Sequence, residues 1–102
     1  MFIALYRWKV KESLEKNFQE GWHRRTEEIY RHCGSLGSRL HRSEDGIWVA
    51  YAQWPDRPTC DNAQSIPVVY AEARMMFRES IEEAYPNIYM NVTDDLLQPE
   101  SV

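Results

Sequence analysis

The chain has 102 residues, of which 43% are hydrophobic and 27% are charged. A chain of this length and composition buries one small core, so we expect a single globular domain over residues 1–102 with a tail at 97–102. A formal net charge of -4 argues against nucleic acid or an anionic membrane as the main partner, because both attract clustered positive charge. No segment approaches the roughly 20 apolar residues that a membrane helix needs, and the apolar run at residues 1–6 is too short for a secretory signal. We therefore expect a cytoplasmic protein.

The two cysteines, Cys33 and Cys60, match no zinc or redox spacing. Unpaired thiols in a reducing compartment are the default for such a pair. The sequence disfavours a disulfide without excluding it.

The first half of the chain predicts a strand, a helix and a hairpin. Aromatic and apolar residues over Phe2–Val10 predict the strand, and a helical apolar period from about Ser13 to Cys33 predicts the helix, which Gly34 should end. The stretch GSLGSRLHRSEDGIWVAYAQWP, residues 34–55, predicts two strands joined by a three-residue turn at 44–46. Gly46 can take the left-handed conformation that closes such a loop.

The second half of the chain predicts a second helix and a last strand. Residues 55–58 should break the hairpin strand, and residues 59–65 should form a loop or a short turn of helix. Pro67 then suits the first turn of a helix that runs to Ala84. Alternating residues over 87–96 predict the closing strand. The inward stripe expected for the second helix consists of Ile66, Tyr70, Ala73, Phe77, Ile81 and Ala84.

The resulting order, βαββαβ, is that of a ferredoxin-like α+β fold, in which a four-stranded antiparallel sheet carries both helices on one face. The first and third strands are apolar on both faces, whereas the strands of a sheet with one solvent-exposed face should alternate apolar and polar residues. We therefore expect a second copy of the chain to cover the free face and form a homodimer.

The third strand places small and large side chains on the same face. Trp48, Ala50, Ala52 and Trp54 alternate there, so two small side chains lie between two indoles and leave room against the helices. Such a cavity could have aromatic walls, or the aromatic residues could simply fill the core. The residues that could line it are Tyr6 or Trp8, Phe18, Trp22, Tyr70 and Phe77.

The histidines give no strong signal for chemistry. His23 precedes Glu27 by four residues, a spacing that suits a metal ligand or, more commonly, a solvated pair. His41 fits an interface or surface position better than a catalytic base. The sequence has no Ser-His-Asp order, glycine-rich phosphate loop or clustered metal ligands, so we expect no metal and no cofactor.

Two stretches carry a family resemblance that spans nearly the whole chain. One is MFIALYRWKVKESLEKNFQEGWHRR, in which a strand ending in Lys-Val-Lys enters a helix with a Phe on its inner stripe, and the other is the hairpin stretch at 34–55. Together with the second helix and the closing strand, they resemble the antibiotic biosynthesis monooxygenase-like proteins of the dimeric α+β barrel superfamily. That family includes cofactor-independent oxygenases of polycyclic phenols, heme-degrading enzymes and proteins without an assigned role.

The resemblance implies site residues as well as a fold and a dimer. Phenol-oxidising members place a Trp at the end of the third strand, an Asn four residues earlier and an Arg on the following helix. Trp54 matches the Trp and Arg74 matches the Arg by spacing, but Ala50 stands where the Asn is expected. Heme-degrading members use a His on the second helix, and residues 67–84 contain none, so heme is disfavoured.

The resemblance thus implies oxidation of an electron-rich phenol or quinol by molecular oxygen, without metal or flavin. Trp54 and Arg74 are the expected catalytic residues. The alternative is a non-catalytic dimeric domain that binds a small aromatic molecule or has a structural role, and Ala50 supports this alternative. The expected substrate-binding residues are Tyr6, Trp22, Trp48, Tyr70 and Phe77.

Overall fold

Strand β1 (Phe2–Val10) lies at the centre of an antiparallel sheet, in accordance with its two apolar faces. The computed structural model of the chain describes residues 1–63 and 71–98. A 3₁₀ turn at Glu12–Leu14 leads from β1 into the first helix. The remaining elements are α1 (Glu15–His32), β2 (Ser38–Arg42), β3 (Trp48–Trp54), α2 (Arg57–Ala63), α3 (Ala71–Glu79), β4 (Ile81–Ala84) and β5 (Ile88–Asn91).

The sheet has five strands rather than the four expected. β3 pairs with one edge of β1 from Phe2↔Trp54 to Trp8↔Trp48, and β2 adds to the far side of β3. Two short strands share the other edge of β1, with β5 opposite residues 2–5 and β4 opposite residues 8–10. Together they take the place of the expected fourth strand, so the ferredoxin-like α+β class is confirmed.

The hairpin between β2 and β3 closes as its sequence predicts. Gly46 has a φ of 87°, which is the left-handed conformation expected of it. The amide of Ser43 donates to the carbonyl of Ile47 at 2.8 Å, and the carboxylate of Asp45 accepts the amide hydrogen of Ile47 at 3.0 Å. The paired strands begin slightly later than expected, at Ser38 and Trp48.

The core lies between the sheet and the helices, with Phe18 of α1 at its centre. Its side chain is fully buried, and its ring lies 5.5 Å from that of Trp8, 5.4 Å from that of Trp48 and 5.2 Å from that of Phe77. Because β3 alternates buried and half-buried residues, its whole buried row faces this core. A second buried cluster contains Phe2, Ala4, Ala52, Trp54 and Cys60.

The predicted helix ending at Ala84 is wrong in its last part. α3 ends at Glu79, and the chain turns at Ser80 into β4. The Ser80 hydroxyl donates to the Met76 carbonyl at 2.6 Å, and the Ser80 carbonyl accepts the amide hydrogen of Lys11 at 2.9 Å. Ile81 then pairs with Val10 in the sheet, so edge pairing overrides a spacing that also suits a helix. The predicted start of this helix, with Ile66, Pro67 and Tyr70, lies outside the described residues.

Two other boundaries differ from the expectation. Of the loop or short turn of helix left open for residues 59–65, the described part is helical: α2 begins two residues earlier, at Arg57, because a proline in the first turn needs no backbone donor there. Asp56 caps this helix by accepting the amide hydrogen of Thr59 at 2.9 Å. The closing strand covers only Ile88–Asn91 of the predicted residues 87–96.

Both cysteines are free thiols, as expected: Cys60 is buried and Cys33 is partly exposed. Within residues 1–63 and 71–98, no helix is both long and apolar enough to cross a membrane.

Candidate functional site

The pairing of β1 with β3 creates a recess in the helix-facing side of the sheet. Ala4 lies opposite Ala52, and Tyr6 lies opposite Ala50. Directly paired residues point to the same face, so three methyl groups stand together between larger neighbours. Trp54 bounds one end of the recess, because it pairs with Phe2 and is only 4% exposed.

A cavity of about 140 Å³ lies above this recess, between the sheet and α1. A dry cavity of roughly 150 Å³ accommodates one benzene ring, so the volume suits a single aromatic ring. Most of the wall is aromatic or aliphatic. The described lining residues are Tyr6, Trp8, Trp22, Arg25, Thr26, Ile29, Ser35, Ser38, Ala50, Ala52, Trp54, Cys60, Ala63 and Phe77.

Trp54, a lining residue, carries a hydrogen-bond donor that no described residue uses. Its indole Nε1 is buried and has no hydrogen-bond partner among the described residues. A buried indole N–H usually finds a partner, and an unpaired one carries the desolvation penalty of the group. An oxygen acceptor placed beside this N–H would relieve that penalty.

Tyr6 and Cys60 form a neutral polar pair in the same wall. The Tyr6 hydroxyl lies 3.9 Å from the Cys60 sulfur. Burial raises the pKa of Tyr6 well above its usual value, with a smaller contribution from Cys60, and burial likewise raises the pKa of the Cys60 thiol. At neutral pH both groups keep their protons, so neither supplies a base.

Arg25 is the one charged residue among the described lining residues. Its guanidinium carbon lies 5.1 Å from the ring centroid of Phe77, a cation–π distance. Burial lowers the pKa of Arg25, and the positive charges of Arg74 and Arg78 lower it further, while Glu28 opposes that shift. Arg25 therefore places a positively charged side chain at the cavity wall.

The structure brings together four of the residues expected at a site and separates a fifth. Tyr6, Trp22, Trp54 and Phe77 line the cavity. Trp48 does not; it packs on Phe18 in the other half of the core.

Two further expected site residues lie elsewhere. Arg74 on α3 is half-buried, and its Nε has no hydrogen-bond partner in the described chain, but it is not among the described lining residues. Tyr70 lies outside the described residues.

Arg25 is the most significant lining residue that sequence reasoning missed. Phe18, Trp22, Arg25 and Ile29 follow one another at helical spacings of four, three and four residues. That spacing places an arginine on the core-facing stripe of an amphipathic helix. The sequence feature that could have identified Arg25 is therefore a charged residue on the core-facing stripe of the first helix.

The histidines lie away from the cavity. The His23 Nε2 pairs with a Glu27 carboxylate oxygen at 2.5 Å on α1, in a largely exposed position. His41 is exposed, and its Nδ1 lies 3.2 Å from the Val49 carbonyl oxygen. Within the described ranges, no three His, Cys, Asp or Glu side chains cluster as metal ligands would.

The fold is that of solved structures named as antibiotic biosynthesis monooxygenases, which confirms at the level of fold the resemblance found in the sequence. No protein-family model matches the chain. No curated protein matches it either.

Three solved structures illustrate the likeness. SnoaB, a cofactor-independent oxygenase from Streptomyces nogalater, has a TM-score of 0.76 at 17% identity, covering 95% of this chain and 97% of its own. A candidate antibiotic biosynthesis monooxygenase from Nitrosomonas europaea has a TM-score of 0.75 at 17% identity, with coverages of 92% and 100%. A conserved protein from Methanosarcina mazei has a TM-score of 0.71 at 14% identity, with coverages of 87% and 89%. At these identities the likeness establishes the fold alone.

Proposed function

We propose that this protein is a cofactor-independent oxygenase that oxidises an electron-rich, single-ring phenol or quinol in the cavity between the sheet and α1. The observation that carries the proposal is an aromatic cavity of one-ring size in which the Trp54 indole N–H is buried and lacks a partner in the described chain. The shared fold with SnoaB, which is named as a cofactor-independent oxygenase, adds support.

In this reaction the substrate supplies the electrons. A phenol and one O₂ give a quinone and one water: one oxygen atom enters the ring, and the other leaves with two hydrogens taken from the substrate. A quinol and one O₂ give a quinone and hydrogen peroxide instead. Neither route needs an external reductant.

The protein accelerates such a reaction by shaping the surroundings of the ring. The Trp54 N–H donates to the substrate oxygen and stabilises the negative charge that develops on it. Arg74, which the family resemblance assigns to the phenolate, is not among the described lining residues, so its positive charge favours an ionised substrate from outside the wall. The apolar walls formed by Tyr6, Trp22 and Phe77 exclude water from the ring.

One departure from the family pattern favours a second function. Ala50 lines the cavity where phenol-oxidising relatives are expected to carry an Asn. Without that amide, the site has one polar side chain fewer to hold oxygen species. The second candidate is therefore a non-catalytic domain that binds the same aromatic ring.

The dimer belongs to this proposal. The sheet face opposite the helices carries half-buried Leu5, Val49 and Tyr51, and β5 adds the exposed Ile88 and Met90. A second copy of this chain would cover this apolar face, because the same patch on both subunits can pair about a twofold axis.

Oxygen uptake with a panel of single-ring phenols and hydroquinones tests the proposal. We expect consumption above the rate of autoxidation, unchanged by a metal chelator, and a visible spectrum without a heme band. Binding without oxygen consumption would move the assignment to the non-catalytic domain. Absence of both would refute the cavity as a ligand site, and a Soret band lost on His23→Ala or His41→Ala would point to heme instead.

A further inference from the structure

Three arginines converge where α1 packs on α3. Gly21 of α1 contacts the backbone of Ala73 and Phe77, so the two helices are very close there. Arg25 lies one helical turn after Gly21, and Arg74 and Arg78 directly follow the two α3 residues that Gly21 contacts. Arg74 and Arg78 are four residues apart and therefore share one face of α3.

This cluster carries more positive charge than the described residues neutralise. Ion pairs within the described chain involve Arg24, Arg31, Arg42 and Arg57, but none involves a member of the cluster. The carboxylate of Glu28 acts on Arg25 through its charge, which offsets part of the excess.

The cluster also reaches the cavity. Arg25 is a lining residue, and its guanidinium lies over the ring of Phe77, another lining residue. The Nε of Arg74 is buried without a hydrogen-bond partner among the described residues. Like charges and burial both disfavour the cationic form of Arg25, and an anion beside the guanidinium would offset the repulsion between the like charges.

We propose that Arg25, Arg74 and Arg78 form an anion subsite at the wall of the cavity, and that the ligand is a single aromatic ring bearing a carboxylate. The ring occupies the cavity of about 140 Å³, a volume that matches one aromatic ring. The carboxylate meets the arginines, whose planar guanidinium groups suit two-point recognition of a carboxylate. This inference rests on the proposed function and specifies its substrate class.

Calorimetric titration with two matched probes tests the subsite. 4-Hydroxybenzoate and 4-hydroxybenzamide have the same shape and differ in charge. We expect the wild type to bind the acid about tenfold more tightly than the amide, as a charge-assisted pair of hydrogen bonds would produce. Arg25→Met should abolish this preference, because Met keeps an apolar stem on Phe77 but carries no positive charge to meet the carboxylate.

Arg24→Met is the control for net charge. Arg24 is adjacent on α1, pairs with Glu72 at 3.9 Å and is not among the lining residues, so this variant should keep the preference for the acid. Arg78→Met changes an exposed residue and should reduce the preference for the acid without impairing the fold. This variant tests the subsite in place of Arg25→Met if Arg25→Met does not fold.

Equal binding of acid and amide by the wild type would overturn the anion subsite, and so would equal losses in Arg24→Met and Arg25→Met. If hydroquinones bind and are oxidised while neither probe binds, the subsite fails and the proposed function stands. If no single-ring compound binds at all, the proposed function itself fails, and the subsite fails with it.

Discussion

Gly21 of α1 lies directly against the backbone of Phe77 in α3. A β-carbon at Gly21 would stand 2.7 Å from the Phe77 amide nitrogen and 3.0 Å from the Ala73 carbonyl oxygen. Real β-carbons essentially never stand 2.7 Å from a backbone atom, so a larger residue at Gly21 must shift the two helices apart. The contact brings Arg25 of α1 to the helix face that carries Arg74 and Arg78, and it holds Phe77 against the core.

Gly21→Ala should therefore destabilise the protein, although alanine is the better helix former. The gain in helix propensity is about 1 kcal/mol, whereas overpacking a tight interface costs about 1–3 kcal/mol. We expect a lower Tm in thermal unfolding. Asn17→Ala, at an exposed position of the same helix, is the control and should leave Tm unchanged or slightly raised. A rise in Tm for Gly21→Ala would contradict the close contact.

Trp54→Phe should weaken ligand binding more than it weakens the fold. The change removes the unpaired indole donor but keeps most of the buried ring, and a neutral hydrogen bond contributes about 0.5–1.5 kcal/mol, or about two- to tenfold in affinity. Calorimetry with hydroquinone and thermal unfolding measure the two effects.

Trp48→Phe is the matched control for that variant. Trp48 is a buried indole on the same face of the same strand, but it packs on Phe18 and does not line the cavity. The Trp48→Phe variant should lower Tm and leave the affinity for hydroquinone unchanged. Equal losses of affinity in the two variants would show that the cavity is not the binding site.

Tyr6→Phe should change how stability depends on alkaline pH. Because burial raises the pKa of Tyr6, the unfolded chain loses this proton near the ordinary value of about 10, while the folded chain retains it. The stabilising contribution of the hydroxyl is thus intact below about pH 10 and is lost as pH rises beyond it.

The measurement is the free energy of unfolding of wild type and Tyr6→Phe from about pH 8 to about pH 11. The difference between them should shift in favour of the variant as pH rises. A constant difference across this range would indicate that Tyr6 is not desolvated in the folded state.

Light scattering should give about twice the chain mass of 12.2 kDa at micromolar concentration. Tyr51→Glu should split the pair or lower its stability, because it places an unpaired carboxylate in the inferred interface. Gln19→Glu adds the same charge at an exposed position of α1 and should leave the mass unchanged. A well-folded wild-type monomer at this concentration would refute the dimer.

Local patterns in the sequence determined much of the fold. The alternation within β3, the helical period of α1 and the turn at Gly46 depend on neighbours a few residues away, so they can be read without knowing the partners. The same alternation placed Ala50, Ala52 and Trp54 together. The family resemblance, carried mainly by β1, α1 and the hairpin, was sufficient for the fold class.

Tertiary structure decided where the last helix stops and which charge lies at the cavity. Ile81 fits the apolar period of a helix, yet it joins the sheet because the free edge of β1 at Val10 offers backbone hydrogen bonds that only the folded chain presents. The helical spacing of Arg25 puts it on the core-facing stripe of α1, but only the packing of α1 on α3 places its guanidinium over Phe77. Trp48 and Trp54 are equivalent in strand parity, but the position of Phe18 fills the space beside Trp48 and leaves the space beside Trp54 empty. Packing between segments that are distant in the sequence decides where a helix ends and which side chains line a cavity, and a local sequence pattern carries no information about that packing.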